Sequence, residues 1–213
     1  MRPNKFDIDP ADADADGLAA ANDSSGTSLT LDGALTSGGT YTAADGLGHL
    51  IDITDSATVD QSGATFTVNG TNANDQAISE AVTGPGSGAT VTTTKYFKTV
   101  TSITIASGAG TGTVNVGTND EVASKVIPLN WRSDEGATVA IMGTSGTLSA
   151  DIQETFDDLQ TTSGADGVNW LDTHADKTAD GSFTLTAHAR GVRVHTDSYT
   201  DSAEFQFHVL QTP

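Results

Sequence analysis

Thr65-Phe66-Thr67-Val68-Asn69, then Asn72-Ala73-Asn74-Asp75, then Ala77 to Thr83 is the stretch whose reading decides the fold class. Its first segment alternates polar with apolar at period two, the repeat of a strand with one buried face. The second is a run of Asn and Asp, whose short side chains bond nearby backbone and accept turn geometry. The third puts Ile78 and Val82 on one face. Together they read as a β-hairpin. Working outward, Ser28-Leu29-Thr30-Leu31 alternates in the same way, and Leu50-Ile51-Asp52-Ile53-Thr54 does so less cleanly. Gly84-Pro85-Gly86-Ser87-Gly88 is a loop by composition. The longest strand-like stretch follows, from Ala89 to Ala106, and Thr113-Val114-Asn115-Val116 closes the set.

The whole chain supports β-structure with many turns. Of its 213 residues 34 are Thr and 23 are Gly. Thr is β-branched and suits a half-wet pleated surface, while Gly serves tight turns. Hydrophobic residues make up 36%, so the cores should be thin, with contacts between subunits adding stability. Asn119-Asp120-Glu121 is the expected boundary, and a second β-unit starts near Val126-Ile127-Pro128-Leu129. Phe183-Thr184-Leu185-Thr186, Gly191-Val192-Arg193-Val194-His195 and Phe205-Gln206-Phe207-His208-Val209 are strand signals. Leu148, Ile152, Phe156 and Leu159 would line a helix face, yet Leu148, Ala150, Ile152 and Phe156 share a strand face broken by Glu154. Periodicity leaves both open.

Residues 1–22 read as an extended arm. Pro3 and Pro10 bracket Phe6 and Ile8, and Asp12, Asp14 and Asp16 alternate with Ala. Such composition is expected to be disordered alone and ordered on a partner. No apolar leader segment occurs in the first twenty residues, and no apolar run approaches the roughly 18 residues of a membrane span. The expected organisation is thus an arm over 1–22 and β-sandwich domains over 23–119 and 120–213.

Charge narrows the function. There are 28 acidic and 9 basic residues, net −19, and 23 of the acids are Asp. Phosphate binding needs clustered Lys and Arg, so nucleic acid and anionic membranes are not expected partners. Abundant Asp and Thr with only five Lys fit adaptation to high salt, where a Debye length of roughly 3 Å at 1 M silences self-repulsion. With no Cys, disulfides and thiolate metal sites are excluded.

Motifs for chemistry are weak. Asp12-Ala13-Asp14-Ala15-Asp16-Gly17 with Asp23 has calcium-loop spacing, but Pro10 opposes the preceding helix that motif requires, and a solvated acidic arm is the preferred reading. Asp172-Thr173-His174-Ala175-Asp176, with His188, lacks a zinc spacing and reads as surface. Gly143-Thr144-Ser145-Gly146-Thr147 lacks the last Gly of a nucleophile elbow. Gly108-Ala109-Gly110-Thr111-Gly112 precedes a strand, so no helix N-terminus would face a pyrophosphate. Asn22-Asp23-Ser24 and Asn69-Gly70-Thr71 match the short glycosylation acceptor pattern. No cofactor, metal or catalytic set is expected. Trp131 and Trp170 are either core or a glycan-stacking platform.

Several segments resemble virion proteins of tailed viruses. Gly17-Leu18-Ala19-Ala20-Ala21 with Ser28 to Gly33, then Val82-Thr83-Gly84-Pro85, Thr94 to Ile103 and Gly112 to Gly117, resemble a widespread group of head-associated phage proteins. Val168-Asn169-Trp170-Leu171, Gly191 to Val194 and Ser198 to Phe205 resemble a β-sandwich module of decoration proteins and fibres. The resemblance implies a jelly-roll-like all-β fold, a strand over 148–159, and a non-enzymatic role on the particle exterior as decoration or turret protein. It also implies a homo-oligomer, trimer or pentamer, that contacts the major capsid protein. The excess of Asp over phage members points to a virus of a halophilic archaeon. On charge complementarity with an acidic capsid, Arg2, Lys5, Phe6, Lys95, Tyr96, Phe97 and Lys98 are the expected partner contacts, with 126–213 projecting outward. The alternative is a receptor- or glycan-binding module using Trp131 and Trp170.

Overall fold

A computed structural model describes residues 4–106, 112–132, 136–159, 167–200 and 202–211. Among them are seventeen strands and no helix: β1 (Asn4–Ile8), β2 (Ala19–Asp23), β3 (Thr36–Ser37), β4 (Thr40–Thr42), β5 (Gly48–Asp55), β6 (Thr65–Thr71), β7 (Ala77–Thr83), β8 (Thr90–Thr92), β9 (Thr99–Ala106), β10 (Thr113–Ala123), β11 (Ile127–Pro128), β12 (Thr138–Ser145), β13 (Leu148–Thr155), β14 (Leu171–Lys177), β15 (Gly181–Thr184), β16 (Gly191–Tyr199) and β17 (Glu204–Leu210). The chain forms two compact units, named by their order in the sequence alone: an inner one of Ala13–Asn119 and an outer one of the flanking segments Met1–Asp12 and Asp120–Pro213.

The inner unit, Ala13–Asn119, is built around the β6–β7 hairpin. β6 and β7 pair in register from Thr65↔Thr83 to Thr71↔Ala77. Asn72 closes the turn: its Oδ1 accepts from the backbone N–H of Asn74 and Gln76 at 2.9 and 3.1 Å. Asp75 there has φ of 63°, which Asp tolerates. One sheet runs β3-β4-β9-β6-β7; on the other side β10 pairs with β2 and β5, and β5 with β8. Every second residue of β6 is buried. Phe66, Val68, Phe97, Val100 and Ile103 from around the first sheet meet Ile51, Ile53, Val114 and Val116 from the second in one apolar cluster. Removing such side chains from water stabilises by roughly 1.5–3 kcal/mol each.

The outer unit has a four-stranded sheet, β1-β17-β12-β15, and a second set in which β13 lies between β14 and β16, with β11 on β16. Phe205, Phe207, Val209, Val139 and Ile141 are buried on the first, and Ala150, Ile152, Val192 and Val194 on the second. The ambiguous segment is strand β13, paired on both edges. Almost all of it is buried, which erases the alternation that would have marked it as a strand. Glu154 does not interrupt it. This carboxylate is fully buried and accepts from Thr173 Oγ1 at 2.8 Å and from Thr186 N at 3.0 Å.

One organisational expectation changes. Residues 1–22 are not one arm. Asn4–Ile8 is a full edge strand on β17, from Asn4↔Val209 to Ile8↔Phe205, and Ile8 is buried. Leu18 and Ala19 are wholly buried in the inner unit's core. An Asp-rich composition hid three apolar residues, each placed where a sheet needed one. The outer unit is therefore discontinuous in sequence, opened by β1 and resumed at Asp120. Asn119-Asp120-Glu121, the expected boundary, is where the two units divide, and the division falls within the eleven-residue strand β10.

Candidate functional site

The basic and aromatic residues expected to contact a partner fall into different settings. Lys5 Nζ pairs with Asp7 Oδ1 at 3.1 Å. The Phe6 ring is half-buried under Lys125 Nζ, 4.5 Å from its centroid. Lys98 Nζ pairs with Asp75 Oδ1 at 2.6 Å. Lys95 Nζ donates to the Ser79 carbonyl at 2.9 Å, and Tyr96 is half-buried beside Gly48. Phe97 is wholly buried and exchanges backbone bonds with His49, so it is core and presents nothing to a partner. Its sequence position between lysines concealed this, because Phe97 is an isolated bridge partner of His49 outside any strand, where no period marks the inward residue. Arg2 lies outside the described residues.

Flanks of the calcium-like spacing are strands, not helices. Asp23 sits on β2, and its carboxylate accepts from Ser25 N and Ser25 Oγ at 2.8 and 2.9 Å, bonds that hold its pKa below the ordinary carboxylate value. Asn69 of the acceptor pattern has its amide within the sheet, donating to Thr67 O and Ser102 Oγ at 3.3 Å. His174 Nε2 lies 3.1 Å from Thr184 O and its ring packs on Phe183. Gly108 to Thr111 lie outside the described residues.

Two clusters emerge, both in the outer unit: the sequence singled out Trp131 but not the arginines around it, and it singled out nothing of the other set. In the first, Asp151 (β13), His195 and Asp197 (β16) place ligand atoms within 4.8 Å of one another. His195 Nδ1 is 3.2 Å from Asp197 and 3.7 Å from Asp151, and Nε2 is 3.6 Å from Glu121. Desolvation raises the Asp197 pKa; Asp151, Glu121 and Asp176 add to the rise and His195 opposes it. Asp151 is also held by the Asp176 N–H at 2.8 Å. No spacing could reveal the set, because Asp151 and His195 meet across a strand pair.

The second cluster surrounds Trp131. Its ring is 40% exposed and borders a depression of about 250 Å³ with Pro128, Leu129, Arg132, Asp158 and Arg190. The guanidinium carbons of Arg190 and Arg132 lie 4.6 and 5.0 Å from its centroid. Arg190 also pairs with Asp158 at 3.2 Å. The backbone here is fixed: Leu129 N donates to Arg190 O at 2.9 Å, and Asn130 N to Gln211 Oε1 at 2.7 Å. His188, at φ of 68°, brings its Nδ1 to 3.0 Å from Trp131 O. Trp170 differs. It is half-buried, with Arg193 4.3 Å from its ring centroid and Nε1 buried without a hydrogen-bond partner among the described residues.

With this geometry the chain is an all-β protein of two antiparallel units. No family model matches it, and no curated protein does. One solved structure, described as "The Triple Jelly Roll Fold and Turret Assembly in an Archaeal Virus", aligns over 97% of this chain at a TM-score of 0.22 and 8% identity. The alignment spans 58% of that chain, less than two thirds of its length. A similarity at that score has no bearing on fold or function.

Proposed function

We propose that this protein is a non-enzymatic structural component of a tailed virus particle, carried on the head exterior as a decoration or turret protein. One observation carries the reading. The segments that resemble head-associated proteins coincide with the framework of the inner unit. Thr94 to Ile103 runs into β9 and supplies the buried Phe97, Val100 and Ile103, and Gly112 to Gly117 opens β10 and supplies Val114 and Val116. The resemblance thus rests on core-forming residues rather than on Thr- and Gly-rich surface. The charge of −19 accords with an assembly that works in concentrated salt.

In this role the protein binds and cements, with the major capsid protein and further copies of itself as partners. Lys5 and Lys98 are already neutralised by Asp7 and Asp75, so shape and apolar contact carry more of the docking than free cations. The test is re-addition. Purified chain mixed with particles lacking it should co-sediment with them to a saturating copy number. Failure to bind particles from the same virus, with the protein folded, would overturn the proposal.

A further inference from the structure

The depression at Trp131 goes beyond a cementing role. We propose that Trp131, Arg132 and Arg190 form a binding site for a carboxylate-bearing sugar residue such as a hexuronate. Charge is the first argument. The chain has four Arg among 28 acids, and two of them converge on this one ring. Among the described residues that line the depression, two guanidinium groups stand against one carboxylate, Asp158, which pairs with Arg190. A planar guanidinium fork matches a carboxylate bidentately, and stacking on Trp131 limits the orientations each fork can take.

Shape is the second argument. The volume of about 250 Å³ falls below the roughly 300–1,000 Å³ of pockets for drug-sized ligands, leaving room for a single ring. Pro128, Leu129 and the exposed part of Trp131 supply an apolar wall for the C–H face of a pyranose, and the arginines supply its anionic partner. A docked acidic protein would need a contact surface near 1,000 Å² or more, whereas the positive charge here is confined to one small concavity. Rigidity is the third. The hydrogen bonds at Leu129, Asn130 and His188 hold the backbone that carries Trp131 and Arg190, which lowers the ordering required on binding.

The experiment is calorimetric titration of the full chain with an oligo-glucuronate and with its carboxyl-reduced neutral counterpart. Saturable binding of the acidic oligomer, at least about tenfold tighter than the neutral one, is expected from a charge-assisted pair. Arg132→Gln should weaken it about tenfold with an unchanged melting temperature, since that side chain is exposed; Arg190→Gln should weaken it similarly. Equal binding of the neutral oligomer, or undiminished binding by folded Arg132→Gln, would overturn the proposal. So would tighter binding of a poly-glutamate peptide, which would assign the site to an acidic protein. These outcomes are independent of particle binding, so the sugar site and the virion role stand or fall separately.

Discussion

Gly70→Ala tests whether the inner unit is held as described. Gly70 sits where the β6–β9 register shifts, opposite Val100 and next to Thr71↔Thr99. A Cβ built there would lie 1.8 Å from the Thr99 carbonyl oxygen and 2.7 Å from its carbon, both backbone atoms. The strands must therefore separate by more than an ångström. Three bonds cluster within one residue: Thr71 N to Thr99 Oγ1 at 3.0 Å, the Thr71–Thr99 hydroxyl pair at 2.8 Å, and Lys98 N to Thr71 O at 2.8 Å. Losing these at about 1 kcal/mol each, less the few tenths gained by stiffening the unfolded chain, gives a cost of about 2–3 kcal/mol. For a unit of this size that is a fall in Tm of roughly 10–20 °C. Gly86→Ala is the control, because its Cβ meets nothing within 4 Å. Far-ultraviolet circular dichroism melts measure both. A Gly70→Ala protein melting within about 3 °C of the parent would refute the packing argument.

Raising NaCl from about 0.1 M to several molar should raise Tm steadily, because a charge of −19 is unscreened at low salt; a flat or falling series would refute the halophilic reading. Asp197→Asn should raise Tm at neutral pH. A carboxyl whose folded pKa is raised adds stability that is complete below its ordinary value near 3.8 and lost as pH rises through the folded value, so the ionised group works against folding and the gain should vanish in acid. A gain that persists there, or none at neutral pH, would contradict the desolvation account. Deleting residues 1–8 should destabilise the outer unit by about 2–4 kcal/mol through the lost burial of Ile8 and the exposed edge of β17, and light scattering should reveal association. An unchanged melt would restore those residues to a detachable arm.

How much of this was legible in the sequence varied with the kind of signal. Half-buried strands such as β6 and β17 announce themselves, since one face must be apolar and the other polar. β13 does not, because it is buried on both faces, and only the resemblance favoured a strand. β1 and β2 were lost among aspartates: one or two buried residues per strand are too few to make a period. Phe97 was misread for the opposite reason, since flanking lysines made a core residue look like a docking group. The His195 cluster was out of reach altogether, and of the Trp131 cluster only the tryptophan itself was named. Both join residues far apart in the chain, across the β13–β16 pair in one case and between Trp131 and Arg190 in the other. The two tryptophans looked equivalent in sequence, and only their surroundings separate the exposed Trp131 from the half-buried Trp170.

The proposal that this chain belongs to a virus particle is tested most directly by its copy number there. Quantitative mass spectrometry of gradient-purified particles would compare this protein with the major capsid protein. A decoration or turret protein occupies symmetry-related positions, so the account predicts a fixed, simple ratio that is the same from one preparation to the next and survives washing in concentrated salt. Absence from purified particles, with the protein abundant in the infected-cell lysate, would contradict it.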